Sequence, residues 1–194
     1  MKNGKMLLLA VLVVIAVIAV LGLLVQGCTQ TPAAPTEPSS PTEPSTPTDS
    51  GVIKPQVEEN TLGATQWAAF QQAIALNQNA TAEELAGALA ESTADLFFGT
   101  AAPIEKDAEY FAGFDNYRIT GYKAAAVYMP MIGSIPFVGY VFELEDGVAP
   151  ATFISNLTGN CNPKWNVCVE AEQTVAGAIG NRVFFLMCPK NMEE

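Results

Sequence analysis

The chain holds 194 residues with 9 basic and 20 acidic side chains, a formal charge of −11, and no histidine. An acidic balance of this size argues against nucleic acid or an anionic lipid surface as partner. The missing imidazole excludes Ser-His-Asp and Cys-His nucleophiles and histidine-based metal sites.

At the N-terminus, Lys2 and Lys5 precede an unbroken apolar run from Met6 to Val25, and Gln26-Gly27-Cys28 follows at once. A positive start, a hydrophobic stretch and a small residue at a cleavage point form the layout of an export signal. Leu24-Val25-Gln26-Gly27-Cys28 resembles the lipobox of bacterial lipoprotein precursors, with Gln26 standing where Ala or Ser is usual. The resemblance covers this segment alone. It implies cleavage before Cys28 and acyl chains on that cysteine, each buried methylene contributing about 0.8 kcal/mol to membrane binding. The alternative is an uncleaved anchor, since a helix of this length at about 1.5 Å per residue spans a hydrocarbon core. Both readings keep Lys2 and Lys5 in the cytoplasm and place the remainder outside the cell membrane.

Residues 28–51 read as a disordered linker between the leader at 1–27 and a domain at 52–194. From Thr29 to Ser50 there is no aromatic or large aliphatic side chain, and Pro32, Pro35, Pro38, Pro41, Pro44 and Pro47 recur at every third position. A polyproline II helix has three residues per turn, so these rings line one edge of an extended stalk. At about 3.1 Å per residue such a stalk reaches about 60 Å. Nothing in it can be buried to fold it otherwise.

The domain opens helically. Trp67, Phe70 and Ile74 fall at i, i+3 and i+7 and predict a helix over residues 63–76. Thr81-Ala82-Glu83-Glu84 is a capping box that starts a second helix, with Leu85, Leu89 and Leu96 on the core. Pro103 suits the first turn of a short third helix with Ile104 and Phe111 inward. Beyond Asp115 the composition turns to aromatic and branched residues. Tyr117 to Met129 and Ser134 to Leu144 read as strands around a turn at Pro130–Gly133. The second of these is apolar on both faces and is expected to be central, with Pro136 at its start or a bulge. Pro150 opens a helix with Phe153, Ile154 and Leu157 inward, stopped at Gly159, and Trp165 to Val169 reads as a strand. Val175–Ile179 and Arg182–Cys188 form either a hairpin around Gly180-Asn181 or, in the first part, a short helix over 171–178. Helices first and strands afterwards predict an α+β fold, with the N-terminal helices on one face of a mostly antiparallel sheet.

Catalytic motifs are few. The chain has no Gly-rich nucleotide loop, no GxSxG elbow, no CxxC pair and no calcium loop, and no cofactor is expected. Glu143 and Glu145 are the candidate acid pair, since alternate residues of a strand share a face and shift each other's pKa. The competing reading is a solvated strand end. Cys168 and Cys188 lie in apolar, strand-like segments and suit a disulfide outside the cytoplasm, or stay as buried thiols; Cys161 is left over. Scattered cysteines make a metal site improbable. Phe97, Phe98, Tyr110, Phe111, Tyr117, Tyr122, Tyr128 and Trp165 are either core or the lining of a groove for a partner. The chain therefore reads as a membrane-anchored, non-catalytic envelope protein whose head binds an envelope protein, a peptide or a glycan. The alternative is an extracytoplasmic hydrolase working through Glu143 and Glu145.

Overall fold

A computed structural model describes residues 51–106, 108–166 and 169–192. The leader, Cys28 and the proline-rich stalk lie outside the described residues, and so does Cys168. Strand β1 (Val52–Ile53) leads to helices α1 (Leu62–Leu76) and α2 (Ala82–Glu91). Strands β2 (Gly99–Ile104), β3 (Tyr122–Pro130) and β4 (Val138–Leu144) follow, then helix α3 (Pro150–Asn160) and strands β5 (Gln173–Ile179) and β6 (Arg182–Cys188). The six strands form one sheet in the order β1-β5-β6-β4-β3-β2, and every neighbouring pair is antiparallel. The α+β expectation holds.

Local chemistry sets the helix ends. Thr61 accepts a hydrogen bond from the Ala64 amide at 3.3 Å, and the Leu62 amide donates to the Lys190 carbonyl at 2.8 Å. The capping box of α2 forms as expected: the Glu84 amide donates to Thr81 Oγ1 at 3.2 Å, and the Thr81 amide donates to Glu84 Oε2 at 2.8 Å. Two orphan donors are thereby satisfied reciprocally.

The two faces of the sheet carry separate cores. On one face Trp67 and Phe70 of α1 and Leu85 and Leu89 of α2 pack on Tyr128, Val141, Phe184 and Leu186. On the other, Phe153 and Leu157 of α3 join Phe111 and Phe114 against Tyr122, Tyr140, Phe142 and Phe185. The N-terminal helices thus share one face, and α3 covers the opposite one. Because both faces are covered, β4 and β6 are buried almost throughout, as two-sided apolar strands require.

Four local expectations are corrected. Pro103 lies in β2, not in a helix. The Met131 amide donates to the Phe98 carbonyl, so the Gly99–Pro130 pair is a non-bonded one, and so is Pro103–Ala126 four residues on. The position where proline lacks its N–H faces away from β3, so no ladder bond is lost. Leu96 lies in the turns after α2 and is exposed. Trp165, Asn166 and Val169 belong to turns closed by Trp165 N–H to Asn162 and Val169 N–H to Asn166, not to a strand. Pro136 precedes β4, so the connection between β3 and β4 is longer than a tight turn. The β5–β6 hairpin forms around Gly180, whose φ of 60° suits glycine, and the helical alternative over 171–178 is set aside.

Candidate functional site

The chain enters at Val52, beside Ile179 at the end of β5. Antiparallel pairing puts that point, the start of β6 and the end of β4 at one end of the sheet, here the near end. The starts of β2, β4 and β5 and the ends of β3 and β6 make up the far end.

Glu143 and Glu145 sit at the near end, and each has its own lysine. Glu143 Oε1 lies 3.1 Å from Lys123 Nζ, and Glu145 Oε1 lies 3.0 Å from Lys106 Nζ. Neither acid lines the far-end cavity around Pro136 and Pro189 or the groove beside Gly87 and Phe98. Partly exposed carboxylates neutralised in this way resemble the ends of solvated strands, where ion pairs contribute little.

The larger far-end cavity, about 640 Å³, lies between Ser134–Pro136 before β4, Glu172 before β5 and Pro189–Met192 after β6. Its charged groups are already engaged. Lys190 Nζ donates to both Glu58 carboxylate oxygens at 2.9 and 3.1 Å, and the Lys190 amide donates to Glu172 Oε2 at 2.8 Å. Beneath it Gln173 ties three elements together: its Nε2 donates to Thr61 Oγ1 at 3.2 Å, and its Oε1 accepts from the Gly63 amide at 3.3 Å. The Cys188 thiol points at the same Oε1 at 3.9 Å, and burial pushes its pKa up to about 12. A thiol held neutral at physiological pH is not a nucleophile. The charged groups around this cavity are committed to interactions that hold the fold.

The second cavity differs. A groove of about 420 Å³ runs between Gly87, Ala90, Glu91 and Ala94 on the α2 side and Phe98–Ala101 on the β2 side. Small side chains form its walls. Gly99 allows the close approach, because a Cβ there would meet the Ala90 carbonyl at 3.2 Å and Thr93 Oγ1 at 3.0 Å. Next to the groove stand three uncovered apolar side chains: Phe98, 78% exposed, Met131, 63%, and Ile132, 75%. The Met131 amide bonded to the Phe98 carbonyl at 3.0 Å joins them, and Asn166 Nδ2 pins the loop through the Gly133 carbonyl at 2.8 Å.

Of the aromatic residues weighed as a groove lining, only Phe98 and Tyr110 are strongly exposed. Phe111, Tyr122 and Tyr128 are core, and Phe97, Tyr117 and Trp165 are half-buried against it. Met131 and Ile132 were hidden in the sequence because they read as turn residues. An apolar pair in a turn, where polar residues are usual, is the signal that marks them. Among the described residues no group of three or more acids and cysteines is placed to hold a metal, and no helix is long and apolar enough to cross a membrane. No family model, curated protein or solved structure matches the chain.

Proposed function

We propose that this protein is a tethered, non-catalytic binding module displayed outside the cell membrane of a bacterium. Acyl chains on Cys28 or the apolar Met6–Val25 helix hold it to the bilayer, and Thr29–Ser50 is the stalk. The observation that carries the binding role is the uncovered corner of Phe98, Met131 and Ile132, rimmed by a groove of small residues. Contiguous exposed apolar side chains beside a polar rim mark interaction surfaces. The corner lies at the far end of the sheet, opposite the end at which Val52 enters. A hydrolase working through Glu143 and Glu145 finds less support, since each acid is paired with a lysine outside both cavities.

The test places a photo-crosslinking residue at Ile132 in the full chain in its native membrane. A discrete crosslinked protein is expected, and Met131→Ser with Ile132→Ser is expected to abolish its co-purification while the head stays folded and exported. No crosslink from position 132, or co-purification indifferent to the double substitution, would sink the proposal. The mass of the mature N-terminus decides the anchor separately: acylated Cys28 is expected, and an intact Met1 excludes cleavage.

A further inference from the structure

Resting on the reading of the far corner as a binding surface, one further feature of the groove specifies what it binds. Among the described residues, strand β2 is the last of the sheet, with β3 on one side and no strand on the other. Its register fixes which main-chain groups are free. The residues bonded to β3 alternate with those that are not, so the N–H groups of Gly99 and Ala101 and the carbonyls of Gly99, Ala101 and Pro103 point outward. The groove is lined by α2, the turn after it and β2, with no residue of β3, which places it over that same free edge. Two donors and three acceptors without a partner among the described residues therefore stand beside a trough with room for side chains.

We infer that the α2–β2 groove takes an extended, basic segment of a partner protein, which pairs with Gly99–Ala101 as a seventh strand. Strand addition draws its affinity from main-chain hydrogen bonds and its specificity from alternate side chains. Here those alternate side chains fall between Gly87, Ala90 and Phe98. Glu91 decides the charge. It is the one ionisable residue lining the groove, and it has no ion pair among the described residues. A Lys or Arg of the incoming strand supplies the missing cation.

Two other occupants fit less well. The chain's own stalk has proline at every third position and carries Glu37, Glu43 and Asp49 with no basic residue. It lacks regularly spaced donors and is repelled by Glu91. A second copy pairing β2 with β2 about Ala101 sets each Gly99 opposite a Pro103, which has no N–H to offer. It also brings two Glu91 carboxylates to one seam.

The probe is a displayed library of random ten-residue peptides, selected against the full-length chain in detergent micelles. Enriched peptides are expected to carry alternating apolar residues with at least one Lys or Arg, and to protect the Gly99 and Ala101 amides from exchange. Ala101→Pro removes an outward donor without touching the β3 ladder, and Gly87→Leu fills the groove at a position where a new Cβ meets nothing within 4 Å. Each is expected to weaken the selected peptides at least tenfold with the fold intact by circular dichroism. Glu91→Gln is expected to weaken basic peptides severalfold and to leave their Lys→Gln and Arg→Gln versions unchanged. The absence of any enriched peptide, or binding within twofold on both Ala101→Pro and Gly87→Leu, overturns the inference. Indifference to Glu91→Gln overturns its basic character. If the partner crosslinked at position 132 survives Ala101→Pro and Gly87→Leu but is lost with Met131→Ser and Ile132→Ser, strand addition is wrong and the binding surface stands. If it survives all four substitutions, both fail.

Discussion

The two outer strands of the sheet solve the same problem in opposite ways. An outer strand leaves a row of main-chain donors and acceptors unpaired, and proteins usually shorten, cover or interrupt it. β1 has only two residues, and the chain that leaves it stays on the sheet: the Ile53 carbonyl, the Pro55 ring and the Trp67 indole all crowd Gly177 of β5. β2 has six residues, pairs along its whole length with β3, and is interrupted on its free side only at Pro103. One edge is sealed by packing, while the other stays open beside a groove and three bare apolar side chains. A sheet that can seal an edge and seals only one has left the other available.

The sealed side depends on the first core, so the largest expected loss comes from there. Phe184 packs against Phe70 and Trp67 with ring centroids 5.4 and 5.8 Å away, and it is wholly buried. Phe184→Ala removes a large side chain and leaves a cavity, with an expected cost of about 3–5 kcal/mol. Urea unfolding followed by tryptophan fluorescence measures it. A loss under about 1 kcal/mol would mean that α1 is not seated on β6, far outside the range for large aromatic truncations.

A pair of glycine substitutions then sets the sealed edge against the open one. At Gly177 a Cβ would lie 2.7 Å from Trp67 and 2.8 Å from the Ile53 carbonyl. Gly177→Val is therefore expected to destabilise by about 1–3 kcal/mol through overpacking. At Gly87 a Cβ meets nothing within 4 Å. Gly87→Leu is expected to leave stability unchanged or raise it by up to about 1 kcal/mol, because leucine is the better helix former. Thermal melts of the two variants check the contrast. Equal losses at both positions would remove the distinction between the edges.

Much of this architecture is legible in the residues. Thr81 and Glu84 announce their helix by spacing, and the two-sided apolar run at 138–144 announces a central strand. Trp67 and Phe70 declare the buried face of α1. Misreadings occur where tertiary context overrides a local rule. Pro103 satisfies the rule for a helix start equally well as the rule for an unbonded edge position, and only the pairing with Ala126 separates the two. The alanines and glycines around it, with little preference of their own, take the conformation that β3 offers. The candidate site was harder still. Glu143 and Glu145 stand out in the sequence as a pair, yet Lys106, Lys123 and the bulge near Tyr122 decide their partners across the sheet. The open groove is built from glycine and alanine, residues chosen for what they leave out, and no one-dimensional pattern marks an empty space.

The buried polar groups under the helices differ from one side of the sheet to the other. Toward the sealed edge, Cys188 is matched with Gln173 and is held neutral. Its folded pKa of about 12 stands above the ordinary value of 9.0. In the reduced protein the thiol therefore adds stability that is complete below about pH 9 and is lost as pH rises from there toward 12. Between pH 8.5 and 9.5 the stability of the wild type is expected to fall relative to Cys188→Ala, by on the order of 1 kcal/mol. Thiol labelling at pH 8 is expected to reach half-buried Cys161 well before Cys188. Rapid labelling of Cys188 in the folded protein would contradict its burial.

Toward the open edge, Tyr128 lies across Gly139, where a Cβ would collide with its ring, and its hydroxyl finds no partner among the described residues although the residue is almost fully buried. Burial pushes its pKa well above the usual phenol value, with the neighbouring Cys188 adding to the shift. An unpartnered buried hydroxyl carries a desolvation penalty that removing the oxygen relieves. Tyr128→Phe is accordingly expected to leave stability unchanged or to raise it by up to about 1 kcal/mol, the smallest effect in the series and opposite in sign to the others near the core. Gly139→Val, which displaces the same ring, is expected to cost more than 1 kcal/mol. A clear loss on Tyr128→Phe would show that the oxygen has a partner, with an ordered water as the first candidate to locate crystallographically. The contrast between the edges would then rest on packing alone.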